Sequence, residues 1–215
     1  MSPAEIRNSK DFRVVNELKF NDILAFVLVY IRVKNIYTFF YIFSNLILIS
    51  IITGLSVFGF MESQLNFGNF LSGLSWGVVA GSILIIPFHE GLHALAFLII
   101  GARKVRFGAD LKHMIFYATA KDFVAGRKGF FLVALAPYLT INSVTIPFAI
   151  NDNTQLQLFL LVLLLVHNIM CIGDFAMLSF FRENKEKELY TFDDLDTKTA
   201  WFYEKKVLTN PETRI

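Results

Sequence analysis

Residues 70–101 read FLSGLSWGVVAGSILIIPFHEGLHALAFLIIG, and Glu90 is the only acidic residue among them. A membrane-spanning helix needs about 20 mostly apolar residues. This stretch exceeds that length and predicts a span. Three others meet the same condition: Phe39 to Met61, Phe130 to Ile150, and Gln155 to Phe181, whose only acidic residue is Asp174. Four spans are expected. Ile23 to Ile31 is also apolar, but a helix of that length reaches only about 14 Å. An interfacial or re-entrant helix is expected there.

Composition agrees. The chain is 55% hydrophobic and 18% charged, with a mean hydropathy of +0.54. A soluble domain carries about 25% charged residues. The expected class is an all-α polytopic membrane protein. Disorder is excluded, because disordered chains are polar and charged. The single Cys171 excludes a disulfide framework. A net charge of +2 gives no argument for nucleic acid as a partner. Met1 to Asp11 is polar and does not read as a cleaved signal. The first span is expected to act as its own insertion signal.

The 20 basic residues fix an expected orientation. All of them fall in residues 1–38, 102–129 and 182–215; residues 62–69 and 151–154 hold none. The positive-inside rule puts both termini and the 102–129 loop on the cytoplasmic side of the cell membrane. The chain then divides into a cytosolic or interfacial segment 1–38, a membrane domain 39–181 and a cytosolic tail 182–215. The 102–129 loop is long for a helix connection. Val105 and Phe107 alternate with Lys104 and Arg106, so one or two short strands are expected, with Gly108 to Lys112 as the turn. His113, in the same loop, is expected to be exposed. In the tail, Asp193, Asp194 and Asp196 lack the glycine and spacing of a calcium loop. A solvated turn is expected, followed by the aromatic patch Trp201 to Tyr203.

His89-Glu90-Gly91-Leu92-His93 is an H-E-x-x-H sequence. On a helix, histidines at i and i+4 face one way and can share a Zn²⁺ ion. Glu90 lies beside them and can take a proton from water activated by the ion. With 4 histidines in the chain, a chance match is expected only about 0.003 times. Cost strengthens the reading: an acidic side chain at the centre of a span costs about 2.5–3.5 kcal/mol and marks a functional site. Only Glu90 and Asp174 lie inside the expected spans. A catalytic zinc takes three protein ligands. His93 is 8 residues before Gly101, and Asp174 is 8 residues before Arg182. Both are then about 12 Å deep, which makes Asp174 the candidate third ligand. Interhelical hydrogen bonding is the structural alternative.

His167, Cys171 and Asp174 share a helix face, and Asn168 lies close to it. His167 could be a further ligand, an oxyanion donor or an interhelical hydrogen bond; a non-ligand role is favoured. Asn168 could bind substrate, stabilise an oxyanion or join two helices. Cys171 reads as a small buried apolar residue. Pro87 is expected to loosen the helical turn before it. Gly91 is expected to admit a neighbouring helix or a substrate.

These residues carry a resemblance. His-Glu-Gly-Leu-His in a span, a loop with strand character and a late span holding an Asp resemble the site-2 intramembrane metalloprotease class. The Pro87 to His93 segment, Ala136-Pro137-Tyr138 and Asn168 to Asp174 resemble a family of small bacterial membrane proteins described as zincin peptidases. Better-known site-2 proteases carry Asn-x-x-Pro-x-x-x-Leu-Asp-Gly. Here Asn168 is six residues before Asp174, the proline is missing and Gly173 precedes the Asp. The resemblance implies a ligand role for Asp174 and no transferable role for Asn168.

The expected function is a zinc-dependent intramembrane endopeptidase. His89, His93 and Asp174 would hold Zn²⁺, Glu90 would be the catalytic base, and the partners would be a membrane protein or peptide substrate and the lipid bilayer. Two alternatives share the site: a zinc hydrolase of a non-peptide substrate, and a non-catalytic membrane scaffold.

Overall fold

The structure, a computed structural model, describes residues 1–110 and 115–206. The turn expected up to Lys112, and His113, fall partly or wholly outside these residues. The first half holds α1 (Pro3–Asn8), β1 (Phe12–Lys19), α2 (Ile23–Tyr30), α3 (Ile36–Met61), α4 (Phe67–Val79), α5 (Ile86–Ile99), β2 (Val105–Asp110) and β3 (Ile115–Ala120). The second holds β4 (Ala125–Gly126), α6 (Arg127–Phe148), α7 (Thr154–Met170), α8 (Ile172–Glu183), β5 (Leu189–Asp194) and β6 (Thr199–Lys205).

Among the described residues, three helical elements are long and apolar enough to cross a membrane: Ile36–Met61, Phe67–Ile99 and Arg127–Phe148. The second joins α4 and α5 through a π-helical turn, Ala80–Leu84. There the Ile85 amide donates to the Ala80 carbonyl, one residue further back than in an α-helix. Pro87 follows as the second residue of α5, where its missing N–H costs little. The expected fourth span is not one straight helix. It is α7 and α8, bent by 45°. The break at Cys171 gives Asp174 a place in the first turn of α8, where the helix N-terminus favours negative charge.

The structure is mostly helical, as expected, and carries two sheets, of which the larger corrects the all-α expectation. One is the antiparallel pair β2–β3, in the loop where strand character was expected. The other is four-stranded, in the order β1-β6-β5-β4, and joins the 1–38 segment to the 182–215 tail. It was illegible for a physical reason. The β1–β6 register shifts between Val14 and Asn16, and such an irregularity breaks the two-residue alternation that marks a strand. The acidic triplet is only partly a turn. Asp193 and Asp194 end β5, and Asp196 lies in the connection to β6. Asp194 pairs with Arg7 at 2.6 Å and accepts amide hydrogens from Asp196 and Thr197. The Arg7 hydrogen bond, first among these contacts, holds its carboxyl below the usual range.

Aromatic packing fastens this sheet to the helices. Phe202 of β6 and Leu189 of β5 pack with Phe26 of α2 and with Phe180 and Phe181 of α8. Full burial of one such side chain contributes about 1.5–3 kcal/mol. Arg127 adds a polar clamp at the start of α6. Its guanidinium donates to the carbonyls of Phe181, Asn184 and Lys187, which close the end of α8. Bonds from a charged donor contribute about 1.5–3 kcal/mol each. Arg127→Met is therefore expected to destabilise the protein by at least about 3 kcal/mol, read as a lowered thermal midpoint in detergent. An unchanged midpoint would contradict the clamp.

At the other end of the bundle, α4 and its π-turn pack backbone-close on α7. Gly73, Gly77 and Gly81 lie four residues apart, and a Cβ on any of them would meet α7 at 3.1 Å or less. Small residues at this spacing let membrane helices approach closely. The contact carries α7 past the α4–α5 break and brings His167 beside His89.

Candidate active site

His89 and His93 lie one turn apart on α5, and their Nε2 atoms are 3.0 Å apart. Asp174 of α8 closes the group. Its Oδ2 is 3.6 Å from His89 Nε2, and its Oδ1 is 3.4 Å from His93 Nε2. Four donors placed tetrahedrally about 2.0–2.1 Å from a zinc ion lie about 3.3–3.4 Å apart. The His89–His93 separation is a little shorter than that value, and the two Asp174 distances, one from each carboxylate oxygen, lie at it or just above it. The donor set, two imidazoles and a carboxylate, is one zinc accepts. The residues present therefore fit a zinc ion with a fourth position left for water or substrate.

Tautomer agrees for His93. Its Nδ1 lies 2.9 Å from the Val133 carbonyl of α6. A carbonyl can only accept, so Nδ1 carries the proton and Nε2 presents its lone pair to the site. Glu90 stands beside this group. Its Oε2 is buried and has no hydrogen-bond partner among the described residues. Its carboxylate lies against the Ala118 backbone of β3. A buried carboxylate oxygen without a donor is costly unless it has work to do.

The site opens on a cavity of about 700 Å³, within the range of ligand-binding cavities. His89, Glu90, His93 and Asp174 line one wall, and Phe116 to Ala120 of β3 line another. Among the described strands β3 pairs only with β2, so its second edge carries no other strand. Asp193 of β5 lies on the sheet side of the cavity. Burial pushes its carboxyl up to about 6.

His167, Asn168 and Cys171 are fully buried. His167 Nε2 lies 3.1 Å from His89 Nδ1 and 3.7 Å from Cys171 Sγ. Asn168 does not line the cavity. Its amide nitrogen donates to Asn142 Oδ1 at 3.1 Å, and its oxygen lies 3.2 Å from His167 Nδ1. Of the roles open to Asn168, joining helices is the one its contacts describe. Gly91 has no heavy atom within 4 Å of the place a Cβ would take. The expectation that it admits a neighbouring helix is corrected, because open space lies there. Sequence reasoning missed Asn142, whose side-chain partner, Asn168, is on another helix. It also passed over the effect of Pro137, although a proline inside a span signals a freed carbonyl four residues earlier.

No curated protein and no solved structure matches the chain. One family does, and its match at residues 82–189 takes in all three candidate ligands. The chain belongs to the family described as "Putative zincin peptidase", a description that points to a zinc metallopeptidase.

Proposed function

We propose that the protein is a zinc endopeptidase of the site-2 class that cleaves a peptide bond within or beside the membrane. The observation that carries the reading is the convergence of His89, His93 and Asp174 next to Glu90, whose Oε2 is buried without a partner among the described residues. Spans made of α3, α4–α5, α6 and the bent α7–α8 pair, with both termini and the β2–β3 hairpin cytosolic, agree with the one-sided basic residues.

When bound, zinc supplies Lewis acidity, polarising a carbonyl and making water acidic near neutral pH. Glu90 takes the proton of the attacking water and returns it to the nitrogen of the departing amine. Asp174 and the two histidines hold the ion's position. The substrate backbone is an unwound segment lying against the second edge of β3, where added main-chain hydrogen bonds hold it extended. The cavity admits water to a depth where lipid would exclude it.

The test compares proteins in membranes that hold wild-type chain with those that hold Asp174→Ala. Truncated polypeptides that depend on Asp174 are expected. Loss of a lipid-linked or small amide without any truncated polypeptide would establish the non-peptide hydrolase instead, and no chemical difference would leave the scaffold.

A further inference from the structure

We propose that α6, which contributes no metal ligand, is the element that fixes the ring tautomer of both metal-binding histidines. Asn142, acting through Asn168 and His167, sets His89, and Pro137, acting through Val133, sets His93. The proposal rests on zinc binding by His89 and His93.

The polarity of the first branch follows from one end. The Tyr138 carbonyl can only accept, and it lies 2.8 Å from Asn142 Nδ2. That orients the Asn142 amide. Its nitrogen also lies 2.7 Å from an Asn168 side-chain atom, which must then be the oxygen. The return bond, from Asn168 Nδ2 to Asn142 Oδ1, completes a reciprocal amide pair. Asn168 Oδ1 faces His167 Nδ1, so that nitrogen bears the proton and His167 Nε2 is a bare acceptor. His89 Nδ1 then donates to it, and His89 Nε2 presents its lone pair to the site. Reversing any member sets two acceptors or two donors against each other, back to the Tyr138 carbonyl.

The second branch begins with a missing donor. In a regular helix the Val133 carbonyl would accept from the amide of residue 137. That residue is Pro137, which has no N–H. The freed carbonyl accepts from His93 Nδ1 instead. Both Nε2 lone pairs and the Asp174 carboxylate thus converge as acceptors on one point, an arrangement a cation completes. His167, Cys171 and His89 also lie close enough together to hold an ion. That ion would displace the proton on His89 Nδ1, which is the hydrogen that binds His167.

Losing the partner of a metal-bound histidine costs about 10–100-fold in metal affinity. Zinc affinity is to be measured by chelator competition on the detergent-purified full chain, with the visible spectrum of the cobalt form beside it. Asn142→Leu and His167→Leu are each expected to weaken zinc 10–100-fold, and the double variant no more than His167→Leu alone. His167→Gln, whose carbonyl can accept from His89, is expected to recover most of the affinity. Pro137→Ala restores the competing N–H and is expected to weaken zinc about tenfold, independently of the first branch; it keeps the proposal testable if a leucine variant does not fold. Wild-type affinity and cobalt spectrum in Asn142→Leu and Pro137→Ala would overturn the proposal. So would two zinc equivalents falling to one in His167→Leu, which would make His167 a ligand. Failure of the underlying reading looks different: zinc content would then be indifferent to His89→Ala and Asp174→Ala.

Discussion

Replacing Glu90 with glutamine is expected to leave a folded protein that holds zinc as before and cleaves its substrate about 10²–10⁴-fold more slowly. Glutamine has the shape of glutamate but no basicity near neutral pH, so the attacking water keeps its proton. The substitution should not harm the fold, because Glu90 Oε2 forfeits no hydrogen bond among the described residues. Removing an acidic group from a span lowers its insertion cost. The measurement is the yield of truncated polypeptides in membranes, with zinc content determined on the same purified protein. Cleavage at the wild-type rate would remove Glu90 from the chemistry.

That residue was legible because its signals are local. The i, i+4 spacing of His89 and His93 needs only a helix, and Glu90 declares itself by its cost inside an apolar stretch. Asp174 was legible for the same reason. The count from Arg182 back to Asp174 stays within α8 and never crosses the bend at Cys171. The residues around the ligands were harder to read. Asn142 acts through Asn168 and His167, and no periodicity links α6 to α7. The four-stranded sheet joins β1 to β6 across most of the chain, and its register irregularity hides the alternation that would have announced β1. The bend at Cys171 is marked nearby only by Gly173, and a lone glycine is too common in membrane helices to announce a break.

The second large effect is expected at Gly81, which precedes His89 by eight residues and does not line the cavity. A Cβ there would stand 2.7 Å from the Leu163 carbonyl oxygen and 2.8 Å from Val166 Cβ. The first is backbone of α7 and cannot turn aside. Gly81→Leu must therefore push α4 and α7 apart. Overpacking of this kind costs about 1–3 kcal/mol, and more where backbone must move. We expect about 3 kcal/mol or more, seen as a fall in thermal midpoint and in yield of folded protein. Because His167 is one turn beyond Leu163, weakened zinc binding should accompany it. Gly54→Leu and Gly91→Ala are the controls, since neither position has an atom within 4 Å of the added Cβ; both should unfold close to wild type. A Gly81→Leu protein as stable as these controls would contradict the close α4–α7 contact.

The expectations for cleavage and for zinc affinity depend on one claim, that His89, His93 and Asp174 hold a zinc ion. The direct measurement is metal content of the detergent-purified chain beside Asp174→Ala. About one zinc per wild-type chain is expected, with a marked loss in the variant, since two histidines alone give an incomplete site. A wild-type protein that folds, carries no metal and takes up none when zinc is supplied would contradict it.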